Sequence, residues 1–172
     1  MNPAEILAAC NLQVTDSVAD FGAGSGFFSR AAAMLVPRGS VFAIEIHKEI
    51  VNRLARDAAE QHLSNLHALW GDIELPGGTR LDNGAVDFVI VSNVLFHVED
   101  KIACLTEAKR ILKPGGRLLV IDWSESFGGI GPAPHAVVTK EVAQGLCTHI
   151  GLTLLSDTIS GGEHHWALLL QK

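Results

Sequence analysis

Three alternating glycines follow an acidic residue early in the chain, in the segment Asp20-Phe21-Gly22-Ala23-Gly24-Ser25-Gly26. Glycine lets a backbone turn sharply and approach a ligand closely. The segment lies between an apolar stretch typical of a strand and a stretch typical of a helix. Free N–H groups at the start of a helix favour partial negative charge. The segment therefore predicts a ligand-binding loop.

The spacing of these glycines separates several kinds of ligand. A dinucleotide fingerprint, GxGxxG, would need its third glycine at position 27 or 29, which Phe27 and Ser29 occupy. A bulky Phe27 would also hinder the close helix approach that a pyrophosphate needs. The pattern GxxxxGK[ST] is absent from the sequence, which argues against an ordinary P-loop nucleotide hydrolase.

Stretches typical of strands alternate with helical stretches along the chain. This alternation predicts an α/β fold: a Rossmann-like, doubly wound, mostly parallel seven-stranded sheet with helices on both faces. Gly161-Gly162 predicts a hairpin turn before an antiparallel C-terminal strand, and Lys113-Pro114-Gly115-Gly116 predicts an abrupt helix end. The predicted strands are 18–21, 41–44, 66–70, 86–91, 118–121, 152–156 and 166–170, and the main helices are 27–35, 48–61, 101–112 and 138–150.

Five segments, in order, resemble the motifs of the class I S-adenosylmethionine (SAM)-dependent methyltransferases. They are the glycine loop, Glu45 at the end of the second strand, and the segments 71–76, 87–97 and 111–118. Within that family the chain is most similar to the quinone-biosynthesis C-methyltransferase-like group. The resemblance extends almost to the C-terminus. It implies methyl transfer from SAM, with S-adenosylhomocysteine (SAH) as the product.

The resemblance also implies a set of cofactor-binding residues. Glu45 is expected to accept hydrogen bonds from the ribose diol, and Asp72 from the adenine amino group, while the Ile73 N–H donates to a ring nitrogen. Asp20 would place negative charge near the amino-acid end and the sulfonium. A turn-capping role for Asp72 and a loop-bracing role for Asp20 are the alternatives. The full predicted set is Asp20, Gly22, Ala23, Gly24, Gly26, Glu45, Ile46, Asp72, Ile73, Ser92 and Asn93.

A general base is needed only if the methyl acceptor must lose a proton. His97 follows the fourth strand, where the methyl group should emerge, and imidazole titrates near neutral pH, so His97 is the candidate catalytic residue. The eight histidines show no spacing typical of a metal site, and we expect no metal. Weaker candidates, or residues whose role stays open, are Asp122, Glu125, His135, His164 and His165.

Composition limits the partners. The 172 residues carry a net charge of -6 without a run of Lys or Arg, which disfavours unaided binding of nucleic acid. The three cysteines lie far apart, which predicts neither a disulfide framework nor a structural zinc site. The sequence lacks a signal-peptide pattern and any apolar run of membrane-spanning length. We therefore expect one cytoplasmic domain over 1–172, with a minimal N-terminal cap and no membrane partner.

The acceptor region departs from the resembled group, whose members commonly carry an N-terminal helical cap and a longer insertion after the fifth strand. Here the first predicted strand begins at Val18, and segment 123–138 is short. A small-molecule acceptor is our first expectation. The alternatives are a macromolecular acceptor, closure by 124–134, or completion of the pocket by a homo-oligomer or partner protein. A non-catalytic SAM-binding module or partner subunit and a nicotinamide-dependent oxidoreductase are the competing functions.

Overall fold

The computed structural model describes residues 1–129 and 131–172, which form a seven-stranded sheet flanked by helices. The strands lie in the order β3-β2-β1-β4-β5-β7-β6. The first five in the chain pair in parallel, and β7 runs antiparallel to both of its neighbours. This confirms the predicted fold class. The strands are β1 Ser17–Phe21, β2 Ser40–Glu45, β3 Leu66–Trp70, β4 Val86–Ser92, β5 Leu112–Trp123, β6 Thr153–Ser156 and β7 His165–Gln171.

Helices cover both faces of the sheet and form two separate cores. One core contains buried residues of α1, α2 and α3, and the other contains buried residues of α4 and α5. None of the helices in the described part of the chain is both long and apolar enough to span a bilayer. The helices are α1 Pro3–Ala9, α2 Phe27–Leu35, α3 Lys48–Glu60, α4 Lys101–Ile111 and α5 Lys140–His149, and a short 3₁₀ helix spans Pro134–Ala136.

Strand β5 shows how the sequence serves both cores. Leu118 and Val120 belong to the core under α4 and α5, whereas Leu119 and Ile121 belong to the core under α1, α2 and α3. All four are fully buried. Because successive side chains of a strand point to opposite faces, a parallel strand covered on both sides must be apolar throughout. This explains why the inner strands read as continuous apolar runs.

Several helices begin at residues that cap them. Asn2 accepts a hydrogen bond from the Ala4 N–H, and Asp100 accepts one from the Ala103 N–H at 2.9 Å. Such caps satisfy N–H groups that have no partner within the helix. Helix α2 is different, because its N-cap is Gly26, at φ +76°, and no side chain caps it. The start of α2, beside the glycine loop, therefore has no capping group of its own.

The junction between α4 and β5 differs from the sequence prediction. The segment 113–116 was expected to be a turn between a helix and a strand, but β5 already begins at Leu112. The pairing with β4 shifts register, from Val86 opposite Leu112 to Phe88 opposite Arg117. Extra residues on one strand form a bulge, and Gly115, at φ +78°, accommodates it. The chain thus passes from α4 directly into β5, with no turn between them.

The last connection also differs from the prediction. Strands β6 and β7 pair in antiparallel fashion, as expected, but residues 157–164 join them. Gly161 and Gly162 therefore lie within a loop rather than forming a tight two-residue hairpin turn.

A buried carboxylate on α4 holds the loop that follows β3. Glu107 accepts hydrogen bonds from the Thr79 hydroxyl at 2.6 Å and from the Gly77 N–H at 3.0 Å, and it pairs with Arg110 at 2.7 Å. Burial alone would raise the pKa of Glu107, but the hydrogen bonds from Arg110, Thr79 and Gly77 lower it to about 2. Residues 77–79 are thereby fixed beside the segment that carries Asp72.

Candidate functional site

A cleft of about 670 Å³ opens at the carboxyl ends of β1, β2 and β4. From β1 the chain runs outward to β2 and β3 and then crosses back to β4 on the other side of β1, and in open α/β sheets such a switch point is where ligands bind. Of the predicted site residues, those that line the cleft are Asp20, Gly22, Ala23, Gly24, Glu45, Ile46, Asp72, Ile73, Ser92, Asn93 and His97. Lining residues that the sequence did not single out include Met1, Phe27, Glu74, Val94 and Val98.

The three glycines of the loop differ in what a side chain at each position would contact. All adopt positive φ, which residues with a Cβ rarely do. A Cβ on Gly22 would lie 2.8 Å from a methyl of Val94, and one on Gly26 would lie 2.6 Å from a methyl of Leu54. Among the described residues, a Cβ on Gly24 would meet only the Gly22 carbonyl, at 3.8 Å, and would otherwise project into open space. Gly24 is therefore the glycine whose bare backbone leaves the cleft free for a ligand.

Gly26 does not line the cleft, although it was predicted as a cofactor-binding residue. It is buried as the N-cap of α2. Its positive φ and the contact with Leu54 account for glycine at this position without a ligand.

Glu45 is the best-anchored carboxylate of the cleft. Its Oε1 accepts hydrogen bonds from the backbone N–H groups of Ile46, at 2.9 Å, and His47, at 3.1 Å, and its Oε2 accepts one from Gly24, at 3.2 Å. A carboxylate offers about four lone-pair positions, so one stays free, on Oε2. The two ribose hydroxyls that Glu45 is expected to bind would therefore have to share that one lone-pair position. Glu45 also fixes the glycine loop to the end of β2.

Asp20 lies at the base of the cleft and is almost fully buried. Its Oδ2 accepts a hydrogen bond from the Ser29 hydroxyl, which ties the end of β1 to the first turn of α2. Burial raises the pKa of Asp20 to about 7, against the hydrogen bonds from Ser29, and the negative charge of Glu45 adds to the rise. A cation bound beside Asp20 would favour its charged form.

Asp72 and its neighbours form the other wall. Asp72 Oδ1 accepts a hydrogen bond from the Glu74 N–H at 2.9 Å, so the turn-capping role exists in the structure. The Gly71 N–H donates to the Glu45 carbonyl at 3.1 Å, which holds this wall against β2. Glu74 in turn accepts from the Asp100 N–H at 2.7 Å. Capping occupies one oxygen of Asp72 and leaves the other as a hydrogen-bond acceptor.

The segment after β4 forms the third wall. Asn93 has φ +56°, its N–H donates to the Ile121 carbonyl at 2.9 Å, and its Oδ1 is buried without a hydrogen-bond partner among the described residues. His97 is exposed, and its ring lies against Phe96 with centroids 3.8 Å apart. Carboxylates held by backbone N–H groups, and one buried amide oxygen without a hydrogen-bond partner among the described residues, are thus found in the walls of the cleft.

Comparison with known proteins decides the family. A methyltransferase domain family matches residues 12–157. The chain belongs to this family. Methyltransferase str2 of Strobilurus tenacellus is 28% identical over 156 residues, covering 86% of the chain and 53% of the relative. The ubiquinone/menaquinone biosynthesis C-methyltransferase UbiE of Burkholderia vietnamiensis is 32% identical over 121 residues, covering 69% and 48%.

Solved structures agree on the fold. A SAM-dependent methyltransferase from Aquifex aeolicus superposes with a TM-score of 0.88 at 24% identity, over 99% of this chain and 89% of that one. The resemblance to class I methyltransferases is confirmed, and with it SAM as the cofactor. The chain spans about a third to a half of the length of the first curated relatives it matches. These comparisons support neither the non-catalytic nor the oxidoreductase alternative.

The methyltransferase cleft fits this cofactor. The open space over Gly24 admits a ligand against bare backbone, and the free lone pair of Glu45 suits a sugar hydroxyl. The exposed side chain of Ile46 offers an apolar surface beside Glu45. Carboxylates at Asp20 and Glu45 suit a ligand that carries positive charge.

Three of the weaker base candidates of the methyltransferase do not line the cleft. Asp122 is fully buried, accepts a hydrogen bond from the Trp123 N–H at 2.8 Å, and has its pKa raised by burial to about 6. The backbone N–H groups of Phe96 and Leu95 oppose this rise in pKa, although Asp122 Oδ2 has no hydrogen bond of normal geometry among the described residues. His135 lies exposed in the 3₁₀ helix, and Glu125 pairs with His164 at 3.0 Å.

An aromatic cluster lies beyond the cleft, where β5 ends and β7 begins. His165 lies against Trp123 with ring centroids 4.2 Å apart, and His164 stacks on Phe127 at 3.8 Å. Burial lowers the pKa of His165, and its Nε2 has no hydrogen-bond partner among the described residues. Within residues 1–129 and 131–172, no group of three or more His, Cys, Asp or Glu side chains could hold a metal ion. Ile130, part of the predicted closing segment 124–134, lies outside the described residues.

Proposed function

We propose that this protein is an enzyme that transfers the methyl group of SAM to a small-molecule acceptor, with SAH as the product. One observation carries the proposal. The Gly24 N–H donates to Glu45, so the glycine loop and the sugar-binding carboxylate form one preformed unit at the switch point of the sheet. The family of the chain supports the same activity.

The predicted cofactor-binding residues keep their proposed roles, with the limits that the geometry sets. Glu45 Oε2 would accept from the ribose, and the free oxygen of Asp72 would accept from the adenine amino group while Ile73 donates to the ring. Gly26 would act through the shape of the loop rather than by contact. The residues proposed to surround the cofactor are Asp20, Gly22, Ala23, Gly24, Glu45, Ile46, Asp72, Ile73, Ser92 and Asn93.

When bound, SAM supplies a methyl carbon on a sulfonium sulfur: a lone pair of the acceptor forms the new bond, and the carbon–sulfur bond breaks with its electrons retained by sulfur. The protein's task is chiefly to hold the acceptor in line with that bond. An acceptor that carries O–H or N–H also releases one proton. His97 lines the cleft and is exposed, and we propose it as the base that receives this proton.

The small-molecule acceptor is supported by the shape of the site. The cleft of about 670 Å³ has the size of a site for a cofactor and a small ligand. None of the described residues that line it is Lys or Arg, which gives a nucleic-acid backbone no charge partner there. Three further expectations stay predictions: completion of the pocket by a second subunit, a single domain over 1–172, and a cytoplasmic location.

Isothermal titration calorimetry with SAM and SAH tests the cofactor part of the proposal. We expect both to bind with dissociation constants near 1 µM, which corresponds to about -8 kcal/mol. A folded sample that binds neither ligand at high concentration would overturn the proposal. Release of SAH in the presence of a panel of small acceptors then tests catalysis, and SAH binding without turnover on any acceptor would instead support a binding module.

A further inference from the structure

Trp70 ends β3, an edge strand of the sheet, beside Glu45. The two residues are partners in the pairing of β2 with β3, and the indole N–H of Trp70 donates to the Ile46 carbonyl at 2.8 Å. Glu45 and Ile46 line the cleft, whereas Trp70 does not. The hydrogen bond therefore supports a wall of the cleft from outside.

Ile46 is held on both sides of its Cα. Its N–H donates to Glu45 Oε1 at 2.9 Å, and its carbonyl accepts the hydrogen bond from Trp70. Ile46 is half exposed, and the residues on either side of it, Glu45 and His47, also line the cleft. Hydrogen bonds that support a binding residue from behind fix the direction of its side chain. The bond from Trp70 is thus one of two that set how Ile46 faces a ligand.

Two cations hold the indole of Trp70. Lys48 Nζ lies 4.7 Å from the ring centroid and the guanidinium carbon of Arg80 lies 4.6 Å from it, at distances where cations are attracted to an aromatic ring. Lys48 is the first residue of α3. Arg80 has φ +63° and follows Thr79, whose hydroxyl donates to the buried Glu107. The ring is therefore restrained by two separate elements, in an orientation from which its N–H reaches its acceptor.

A second tryptophan makes the same kind of bond in a different setting. The indole N–H of Trp166 donates to the Val138 carbonyl at 2.9 Å inside the core, where a buried N–H requires a partner. Trp70 is 41% exposed, and its hydrogen bond lies at the surface, where water satisfies an N–H equally well. Burial therefore explains the bond of Trp166 but not that of Trp70, whose effect must be sought in the residue that it holds.

Resting on the proposed function, we propose that Trp70 is a positioning residue for the adenosine half of SAM. It acts through Ile46, whose side chain packs against the base, and keeps this residue in register with Glu45, which accepts from the ribose. Trp70 itself does not touch the cofactor. Loss of its N–H should therefore weaken every ligand that carries the adenosine half, and should weaken them all by the same factor.

A matched pair of variants isolates the indole N–H. Trp70→Phe removes it and keeps an aromatic ring for Lys48 and Arg80, and Trp166→Phe removes the equivalent bond away from the cleft. Calorimetry with SAH and with adenosine compares them. We expect Trp70→Phe to weaken both ligands about two- to fivefold, at most the factor that one net hydrogen bond contributes. Trp166→Phe should lower the thermal midpoint more, because its bond is buried, and should change both affinities less than about twofold.

The wild-type protein offers an independent readout. The indole N–H signals of Trp70 and Trp166 can be followed by nitrogen-15 NMR while SAH or adenosine is added. Because the Trp70 N–H is bonded to a carbonyl of the cleft wall, we expect its signal to shift with either ligand, at the concentration that calorimetry gives for binding. The signal of Trp166, whose bond lies in the core, should not move.

Other outcomes contradict this assignment in distinguishable ways. A loss below twofold in Trp70→Phe, or a Trp70 signal that does not move at saturation, would show that Trp70 does not support the adenosine half. Weaker binding of SAH with unchanged binding of adenosine would place the effect at the amino-acid end. Equal losses in the two variants would indicate a general loosening of the fold. If Trp70→Phe does not fold, the wild-type signals decide. Absence of SAH binding in the wild type would instead overturn the proposed function.

Discussion

The two ends of the cleft differ in how completely their polar groups are bonded. At the end formed by β1 and β2, Glu45 holds three backbone N–H groups and Asp20 holds the Ser29 hydroxyl. At the end that follows β4, Asn93 Oδ1 is buried with no hydrogen-bond partner among the described residues, whereas Asp122 Oδ2 and His165 Nε2, which share this state, lie outside the cleft. Buried polar groups are nearly always paired in folded proteins.

This difference indicates which part of the cleft is preformed. The end proposed to take the cofactor is held by these hydrogen bonds without a ligand, so little ordering should be needed on binding. At the other end, one buried amide oxygen has no hydrogen-bond partner among the described residues, so the polar groups of that end are less completely bonded.

The largest effect should come from closing the space over Gly24. Gly24→Val places a Cβ and two methyls in the cleft and opposes φ +53°, so we expect SAM affinity to fall about 100-fold by calorimetry. Gly128→Val is the matched control, since Gly128 has φ +54°, does not line the cleft, and among the described residues has no neighbour within 4 Å of a Cβ. Equal effects in the two variants would show that backbone strain, and not the ligand, explains the loss.

Removing the central carboxylate should come next. We expect Glu45→Ala to weaken SAM binding by about 1–3 kcal/mol, because it removes a charge-assisted bond to the ribose and releases the glycine loop. Glu49→Ala, on the exposed first turn of α3, serves as the control and should bind normally. Unchanged SAM affinity in a folded Glu45→Ala variant would show that the cofactor does not bind at the end of the cleft formed by β1 and β2.

The hydrogen bonds by which Glu107 holds the loop behind Asp72 can be tested by mutation. Glu107→Gln loses charge-assisted bonds, and we expect the free energy of unfolding to fall by about 2 kcal/mol, with SAM affinity reduced less than about threefold. The pKa of Glu107 is lowered to about 2, so its stabilisation is complete above the ordinary value of 4.5 and is lost as pH falls toward 2. Denaturant curves should therefore show a smaller acid dependence for the variant than for the exposed control Glu99→Gln.

The smallest effect concerns the charge of Asp20. Its pKa is raised to about 7, so the carboxyl is mainly neutral at pH 6 and mainly charged at pH 8. The sulfonium of SAM carries a charge that the sulfur of SAH lacks. The preference for SAM over SAH should therefore rise severalfold from pH 6 to pH 8. In Asp20→Asn the preference for SAM over SAH should not change with pH. If it does not change with pH in the wild type either, Asp20 does not lie close to the sulfonium.

Most of the cofactor end could be read from the sequence, because its determinants are local. Alternating glycines and strand-end acids place Asp20, Gly24 and Glu45 without knowledge of long-range contacts, and α2 and β3 have the predicted bounds. Whether these residues bind SAM stays a prediction. The start of β5 was wrong, because Pro and Gly at 114–116 signal a turn while pairing with β4 holds them in the strand as a bulge.

The remaining features depend on contacts between distant residues. Glu107 and Thr79 meet across 28 positions, and nothing in the helix pattern of α4 marks Glu107 as buried. Phe27 was considered only as an obstacle to a pyrophosphate, yet it lines the cleft. The lack of a hydrogen-bond partner for Asn93 Oδ1 among the described residues depends on all the residues around it, so no motif predicts it.

The hydrogen bond from Gly24 to Glu45 has a thermodynamic consequence. A sugar hydroxyl that engages Glu45 steadies the loop on which the amino-acid end of the cofactor would rest, and the reverse must hold to the same extent, because coupling between binding events is reciprocal. Adenosine and methionine, given as separate fragments, should each tighten the binding of the other. The protein would then recognise the intact cofactor as a whole, more strongly than its two halves suggest.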